Sequence, residues 1–400
     1  MIKSLRLATL LRNGLIYTVL TFFAFIMLFP FIYMLFTSFK LPKDTFRYPP
    51  RLLPRDPLYV TVPGYEGERP LYYVTYNGER REFALVEENI RVGFFVDPAA
   101  PETRYEIFLT EAEPTGETVT LGGETVELYR VVLEGQERLL AKVGQTAKGR
   151  FVNPENPAEE VFQIVRLSQP VEKFALHPEN YREVMDLQGM ERSLTNTTLV
   201  TLLVVFGQLT TSVLGGYAFA RLKFPGRDQI FLLYLGTIMI PFVVLIIPLY
   251  QLMVWLGWVD KIASLVVPWV FTAYGTFMMR QFMLSIPREI EEAALIDGAT
   301  RLQILTRIFL PAITPALATQ ATFSFLYAWN SFVWPLLVIN TGNGKSHVLT
   351  LSLNMLRGRA SDSPNLILAG AAIAVLPPLI VFILAQRYYI ESVTSSGVKG

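Results

Sequence analysis

The chain of 400 residues contains no cysteine and only two histidines. Without cysteine there are no disulfides, no cysteine-ligated zinc, no iron–sulfur cluster and no thiol catalysis. No His/Asp/Glu grouping has metal-ligand spacing, and no Ser/His/Asp set is spelled out around His177, so a hydrolytic or metal-dependent enzyme is not expected and no cofactor is assigned to this chain. Charge is scarce as well, at 17% of residues against roughly 25% in soluble domains. The chain is 52% hydrophobic, with a mean hydropathy of +0.37, which excludes disorder and argues against a purely soluble fold. The net charge of +1 hides a division. Residues 42–192 carry 26 acidic and 18 basic side chains, a net of −8, whereas the remainder carries a net of +9.

Six stretches have no charged residue: Asn13–Phe39, Ser193–Ala220, Gln229–Val259, Ile262–Met279, Ile308–Gly344 and Ser363–Gln386. A membrane-spanning helix needs about 20 apolar residues, so the expected fold is an all-α polytopic membrane bundle of six transmembrane helices. The first stretch is too long for the apolar region of a signal peptide and is read as a retained span. Lys and Arg cluster at the N-terminus, after the second and fourth stretches and in the tail. That bias places the N- and C-termini in the cytoplasm. Long segments cross whatever their charge, so the acidic block is expected outside.

Within that block the pattern changes to short alternating runs, Leu58–Val62, Leu71–Tyr76, Arg104–Leu109, Thr118–Leu121 and Thr125–Val132. Asn77-Gly78 and Gly122-Gly123 are hairpin signals between such runs. Residues 46–191 are therefore read as an extracytoplasmic, mostly β insert with linkers, flanked by residues 1–45 with span one and residues 192–400 with spans two to six. Glu179–Leu187 is expected to be a short helix leading back to the membrane.

The loop 285–311 between spans four and five carries the functional signal. A helix is expected from Pro287, with Glu289, Glu291 and Glu292 in its first turns where they suit the helix dipole. Gly298 should end it, and a second helix should run from Thr300 to Pro311. Glu292-Ala293-Ala294, three residues, Gly298, nine residues and Ile308-Phe309-Leu310-Pro311 resemble the EAA motif of ABC importer permeases without a gap. Gly216–Arg227, Ala328–Leu336 and the ending from Gln386 to Gly400 are similar to the MalG-type sugar permeases within that group. So are Tyr48–Arg51 and Pro178–Tyr181, which resemble the family's outer linker.

The resemblance implies a type I ABC importer permease fold in a bacterial or archaeal plasma membrane. It also implies a second, MalF-like permease subunit, an ABC ATPase dimer that binds the ATP, and an extracytoplasmic sugar-binding protein. By that resemblance Glu292, Ala293, Ala294, Asp297, Gly298, Ile308, Leu310 and Pro311 couple the chain to the ATPase, with Glu292 facing it. The loop with Gly342, Asn343, Gly344 and Lys345 reaches the binding protein, and the tail 387–400 reaches the ATPase dimer. A sugar path needs aromatic faces and hydrogen-bonding groups, and Gln208, Tyr250, Gln251, Tyr327, Trp329, Asn330 and Trp334 could supply them.

Two features depart from the family: the insert of roughly 120 residues in a linker that is normally short, and Ser331 where many relatives have Glu. Thr341–Ser346 looks like the end of a phosphate-binding loop, but the position of the required first glycine is Ile339. No other segment offers such a motif, so hydrolysis of ATP falls to partner subunits. No nucleic-acid partner is expected. The alternatives are a permease for another small solute such as glycerol phosphate, or a secondary transporter. The latter needs an ionisable relay within the spans, which are essentially charge-free.

Overall fold

Apolar runs become helices, and short irregular segments, several of them containing proline, set where those helices break. The computed structural model describes residues 2–133, 135–340, 342 and 344–397; for 2–8, 188, 359 and 388–397 it describes the backbone alone. The helices are α1 (Ile2–Ser38), α2 (Pro42–Thr45), α3 (Glu179–Asp186), α4 (Met190–Arg221) and α5 (Arg227–Gly236). They continue with α6 (Phe242–Trp255), α7 (Ile262–Val266), α8 (Ala273–Leu284), α9 (Arg288–Ile296) and α10 (Arg301–Ile304). The last are α11 (Leu310–Ala312), α12 (Thr314–Trp329), α13 (Val333–Val338), α14 (Leu349–Arg359) and α15 (Pro364–Gly397).

The chain divides into two units, Met1–Leu52 with His177–Gly400, and Leu53–Leu176. In the helical unit α4 is the centre. Val200 and Val204 pack with Met253, Leu265 and Trp334. One level along, Val213, Tyr217 and Ala220 pack with Met279, Met283 and Phe309. Gly216 permits that second contact: a Cβ there would lie 2.6 Å from the Cβ of Met279 and 3.0 Å from the backbone nitrogen of Arg280. Small residues let helix backbones approach in this way inside membranes.

Among the described residues, three segments, Thr9–Ser38, Met190–Arg221 and Pro364–Arg387, are long and apolar enough to cross a membrane by themselves. The other three sequence stretches are broken. Arg227–Met239 and Phe242–Trp255 meet at 100°, Ile262–Trp269 and Ala273–Leu284 at 41°, and Arg301–Ala312 and Thr314–Trp329 at 81°. The count reaches six only if each bent pair is one span. The stretch from Ile308 to Gly344 is thus not one helix. Ile313, with φ −102° and ψ 18°, turns the chain, so that Ile308–Ala312 belongs to the loop and α12 begins at Thr314.

The second unit is β-rich. Its strands are β1 (Arg55–Pro57), β2 (Tyr59–Thr61), β3 (Glu68–Tyr76), β4 (Glu79–Asp97), β5 (Ala100–Phe108) and β6 (Ala112–Leu121). They continue with β7 (Glu124–Leu133), β8 (Gln136–Val152), β9 (Glu160–Gln163), β10 (Gln169–Pro170) and β11 (Glu172–Phe174). The nine-stranded sheet has the order β10-β3-β4-β8-β7-β6, with β2, β5 and β9 added on β3, β4 and β8. Both hairpin dipeptides have positive φ at both residues, Asn77 at 50° with Gly78 at 82°, and Gly122 at 59° with Gly123 at 92°, as two-residue turns matched to strand twist require.

The long strands β4 and β8 escape the sequence reading for a physical reason. Phe83, Ala84, Leu85 and Val86 are all buried. Phe83 and Leu85 pack with Val74 and Phe151, while Ala84 and Val86 pack with Leu71 and Val152. Burial on both faces removes the alternation that marks a half-exposed strand.

Within the expected insert with linkers, 46–191, the β-rich unit is Leu53–Leu176. The linkers belong to the helical unit, where the Asn180 side chain donates to the carbonyls of Ser38 and Lys40 at 2.8 and 2.9 Å, and the Ser38 hydroxyl meets that of Tyr181 at 2.7 Å. Lys40 is buried there and donates to the Arg51 carbonyl; burial lowers its pKa and Asp44 opposes the shift.

Candidate functional site

The EAA-like loop folds as two short helices joined by a tight stop. Pro287 precedes α9, with Glu289 and Glu291 in its first turn. At its end the Gly298 N–H donates to the Leu295 carbonyl at 3.1 Å and the Ala299 N–H to the Ala294 carbonyl at 3.0 Å. This is a Schellman closure, and Gly298 takes the left-handed φ of +81° that it requires. Thr300 and Gln303 then form a capping box at the start of α10. The second helix expected from Thr300 to Pro311 is less regular: a π-helical turn, Leu305–Phe309, separates α10 from α11.

The structure divides the motif into a buried half and an exposed half. Phe309 is fully buried, and Ile308 and Leu310 pack against the same cluster; that half seats the loop on the bundle. Glu292, Ala293, Asp297, Gly298 and Pro311 are exposed, and Ala294 is half-buried. Ile296 is 87% exposed beside them, so small, acidic and apolar groups form an outward knob.

What holds the knob was not singled out from the sequence. The Glu291 side chain is only 8% exposed, with Arg301 Nη1 on its Oε1 and Arg221 Nη1 at 3.6 Å from its Oε2. The Arg221 side chain is 2% exposed. It donates through Nη2 to the carbonyls of Met283 and Ile286, and its guanidinium lies 4.9 Å from the centre of the Phe309 ring. One side chain at the end of α4 thus grips the end of α8, the entry to α9 and the π-helical turn. Arginine suits this place because its planar fork serves several acceptors while staying charged. The available sequence signal was helical spacing: Glu291 and the half-buried Ala294 are three apart and share a face.

Of the residues proposed for a sugar path, Tyr327, Trp329 and Trp334 line one cavity, and Gln208, Tyr250, Gln251 and Asn330 are not part of its lining. Trp329 and Trp334 are buried, and their indole N–H groups donate to the carbonyls of Ala374 at 3.0 Å and Ser264 at 2.8 Å. Gln208 donates to the Trp269 carbonyl at 2.7 Å and accepts from the Ser324 hydroxyl at 2.6 Å, joining α4 to two neighbours. Asn330 bonds back to its own helix at Leu326. Tyr250, Gln251 and Tyr327 are exposed, Tyr327 with its ring against Trp269. The cavity that Tyr327, Trp329 and Trp334 line among the described residues has a volume of about 20 Å³, too small for a sugar.

The loop that begins at Asn340 is pinned at both ends. The Asp260 carboxylate accepts from the Asn340 N–H at 3.1 Å and its carbonyl accepts from the Ser346 hydroxyl at 2.8 Å. The Asn196 amide donates to the carbonyls of Lys345 and His347 at 2.9 and 2.8 Å. Thr197 accepts from the Leu349 N–H at 2.7 Å and so caps α14. Gly342 bonds to the Asn340 side chain at 2.8 Å and Gly344 has φ +68°. Asn343, and Val398 to Gly400 of the tail, lie outside the described residues. Releasing the pins by Asn196→Ala should loosen the loop without unfolding α4. Hydrogen exchange at residues 344–349 should rise by about tenfold or more if two bonds are lost, and unchanged exchange would show that the loop is held otherwise.

Residues 212–395 match the family described as binding-protein-dependent transport system inner membrane component. The arabinooligosaccharides transport system permease protein AraQ of Halalkalibacterium halodurans is 37% identical over 205 residues, 51% of this chain and 73% of that protein. The chain belongs to this family. The sn-glycerol-3-phosphate transport system permease protein UgpE of Rhizobium meliloti is 32% identical over 241 residues, covering 58% of this chain and 86% of its own. A crystal structure of a bacterial ABC transporter involved in the import of the acidic polysaccharide alginate matches at 24% identity and a TM-score of 0.48, over 55% of this chain and 81% of that one. The permease is thus a membrane component of a transport system, and residues 53–176 lie outside the family match.

Proposed function

We propose that the permease is one transmembrane subunit of an ATP-driven, binding-protein-dependent sugar importer that works by alternating access. The observation that carries this reading is the outward knob of α9, seated on the ends of α4 and α8. A partner that pulls on it moves the bundle. In this reading the knob enters a cleft of a separate ATPase dimer, a second permease subunit covers the exposed apolar faces, and the loop at Gly342–Lys345 meets a sugar-loaded binding protein. Six crossings, with both termini in the cytoplasm and the β unit outside, fit the lysine and arginine distribution.

An oligosaccharide is the favoured substrate, supported by the likeness to a permease named for arabinooligosaccharides. Glycerol phosphate is the second reading, supported by the relatives named for it. Proteoliposomes holding the complete transporter should take up labelled oligosaccharide with ATP. Uptake of sn-glycerol 3-phosphate alone would overturn the sugar assignment.

The β unit, inside an acidic block of net −8, is proposed to dock a binding protein or the partner permease. Replacing residues 58–172 by a short Gly/Ser linker should leave basal ATP hydrolysis intact. It should also weaken binding-protein association, with a difference that shrinks as salt screens it. Equal association at low salt would remove the docking role.

A further inference from the structure

Beside the coupling knob lies a pocket of about 550 Å³ whose walls include the chain between α4 and α5 and one side of α9. Five cations line it, Arg221, Lys223, Arg227, Arg288 and Arg301, against two carboxylates, Glu291 and Glu292. Three of the cations are already engaged. Glu291 lies between Arg221 and Arg301, and Arg227 is paired with Asp228 at 2.9 Å. Lys223 and Arg288 have no ion pair or hydrogen bond among the described residues. Even with Asp228 counted, two positive charges remain in excess around one concavity. Cations gathered this closely repel one another unless an anion enters between them.

The position says which anion. The pocket sits where two apolar helices end, α4 at Arg221 and α5 at Arg227. Leu222 and Phe224 are part of its lining, and α5 continues from it with Ile230, Leu232 and Leu233 exposed. A phosphate placed among the cations would have an apolar track for acyl chains leading away from it. Basic pockets at span ends on the cytoplasmic side suit anionic lipid headgroups. We propose that this pocket binds the phosphate of an anionic phospholipid headgroup, with Lys223 and Arg288 as its free cations, and so ties the coupling loop to the lipid surface. The inference rests on the membrane placement of α4 and α5 and not on the substrate.

The test is lipid retention by the assembled transporter, purified from membranes and measured by native mass spectrometry with phosphatidylglycerol and phosphatidylcholine as probes. The wild type should retain phosphatidylglycerol over phosphatidylcholine. Lys223→Gln and Arg288→Gln should each lower that retention about fivefold, the effect of one surface cation on an anionic lipid, with phosphatidylcholine unchanged. Lys223 is exposed and its substitution is not expected to disturb folding, so K223Q keeps the test decisive if R288Q fails to assemble. Inorganic phosphate at millimolar concentration should not displace the lipid. Displacement by phosphate would assign the pocket to a small anion instead. Unchanged phosphatidylglycerol retention in both variants, with weaker ATPase co-purification, would show that the cations face an acidic protein surface and would overturn the proposal.

Discussion

Glu291→Gln should abolish most substrate-stimulated ATP hydrolysis of the assembled transporter while the chain still inserts into the membrane. The carboxylate lies between two guanidinium groups, one of them itself buried. Removing one member of a buried ion cluster leaves uncompensated charge, at a cost of about 3–5 kcal/mol. In this variant Arg221 and Arg301 face each other across a neutral amide, and Arg221 keeps its bonds to Met283 and Ile286. The bundle should therefore hold together while the knob comes away from its seat. Arg221→Ala should be worse, since it also releases those two carbonyls and the Phe309 ring. The measurement is stimulated against basal hydrolysis, with a drop in stimulation of about tenfold or more expected. Full stimulation in E291Q would show that the ion cluster does not position the knob.

Gly298→Val and Glu292→Lys should give the second large loss, by two different routes. Gly298 stands at φ +81° with open space around the missing Cβ, so a valine meets backbone strain and no steric clash. A non-glycine residue held there costs on the order of 1–3 kcal/mol, and a β-branched one sits at the upper end. The Schellman closure then opens and α9 loses its angle to α10. Glu292 is exposed, so its reversal should leave the fold untouched and act only on a partner. A charge-assisted contact is worth about 1.5–3 kcal/mol, or roughly tenfold to a hundredfold in association. Co-purification separates the two: E292K should fail to retain the ATPase with an unchanged melting temperature, whereas G298V should lower both. Normal ATPase retention in E292K would mean that this acid does not face the partner.

Much of this loop was legible from residue order because its signals are local. A proline start, three early acids and a glycine stop each act within a turn of chain. Which acid turns inwards was not legible, because that depends on Arg221, seventy residues earlier in the sequence. The spans show the same limit. Charge-free length located the apolar chain, but the bends at 239–242, 269–273 and 313 arise from local backbone geometry that hydropathy averages away. In the β unit the two hairpins announced themselves through Asn77-Gly78 and Gly122-Gly123. Strands β4 and β8 did not, since burial on both faces, as at Phe83–Val86 and Phe151–Val152, erases the alternation there. The aromatic residues near Trp329 were read as a possible path, and their N–H groups bond to carbonyls inside the bundle. Composition cannot distinguish a tryptophan that packs from one that waits for a ligand.

The central claim is that movement of substrate through this permease is driven by a separate ATPase acting on α9. The most direct measurement compares oligosaccharide uptake in three sets of proteoliposomes: the permease alone, the complete transporter with its binding protein, and the complete transporter carrying Glu292→Lys. Uptake should occur with ATP in the second set only, and an imposed proton or sodium gradient should move nothing in the first. Gradient-driven uptake by the permease alone, or full ATP-driven uptake with Glu292→Lys, would contradict the account.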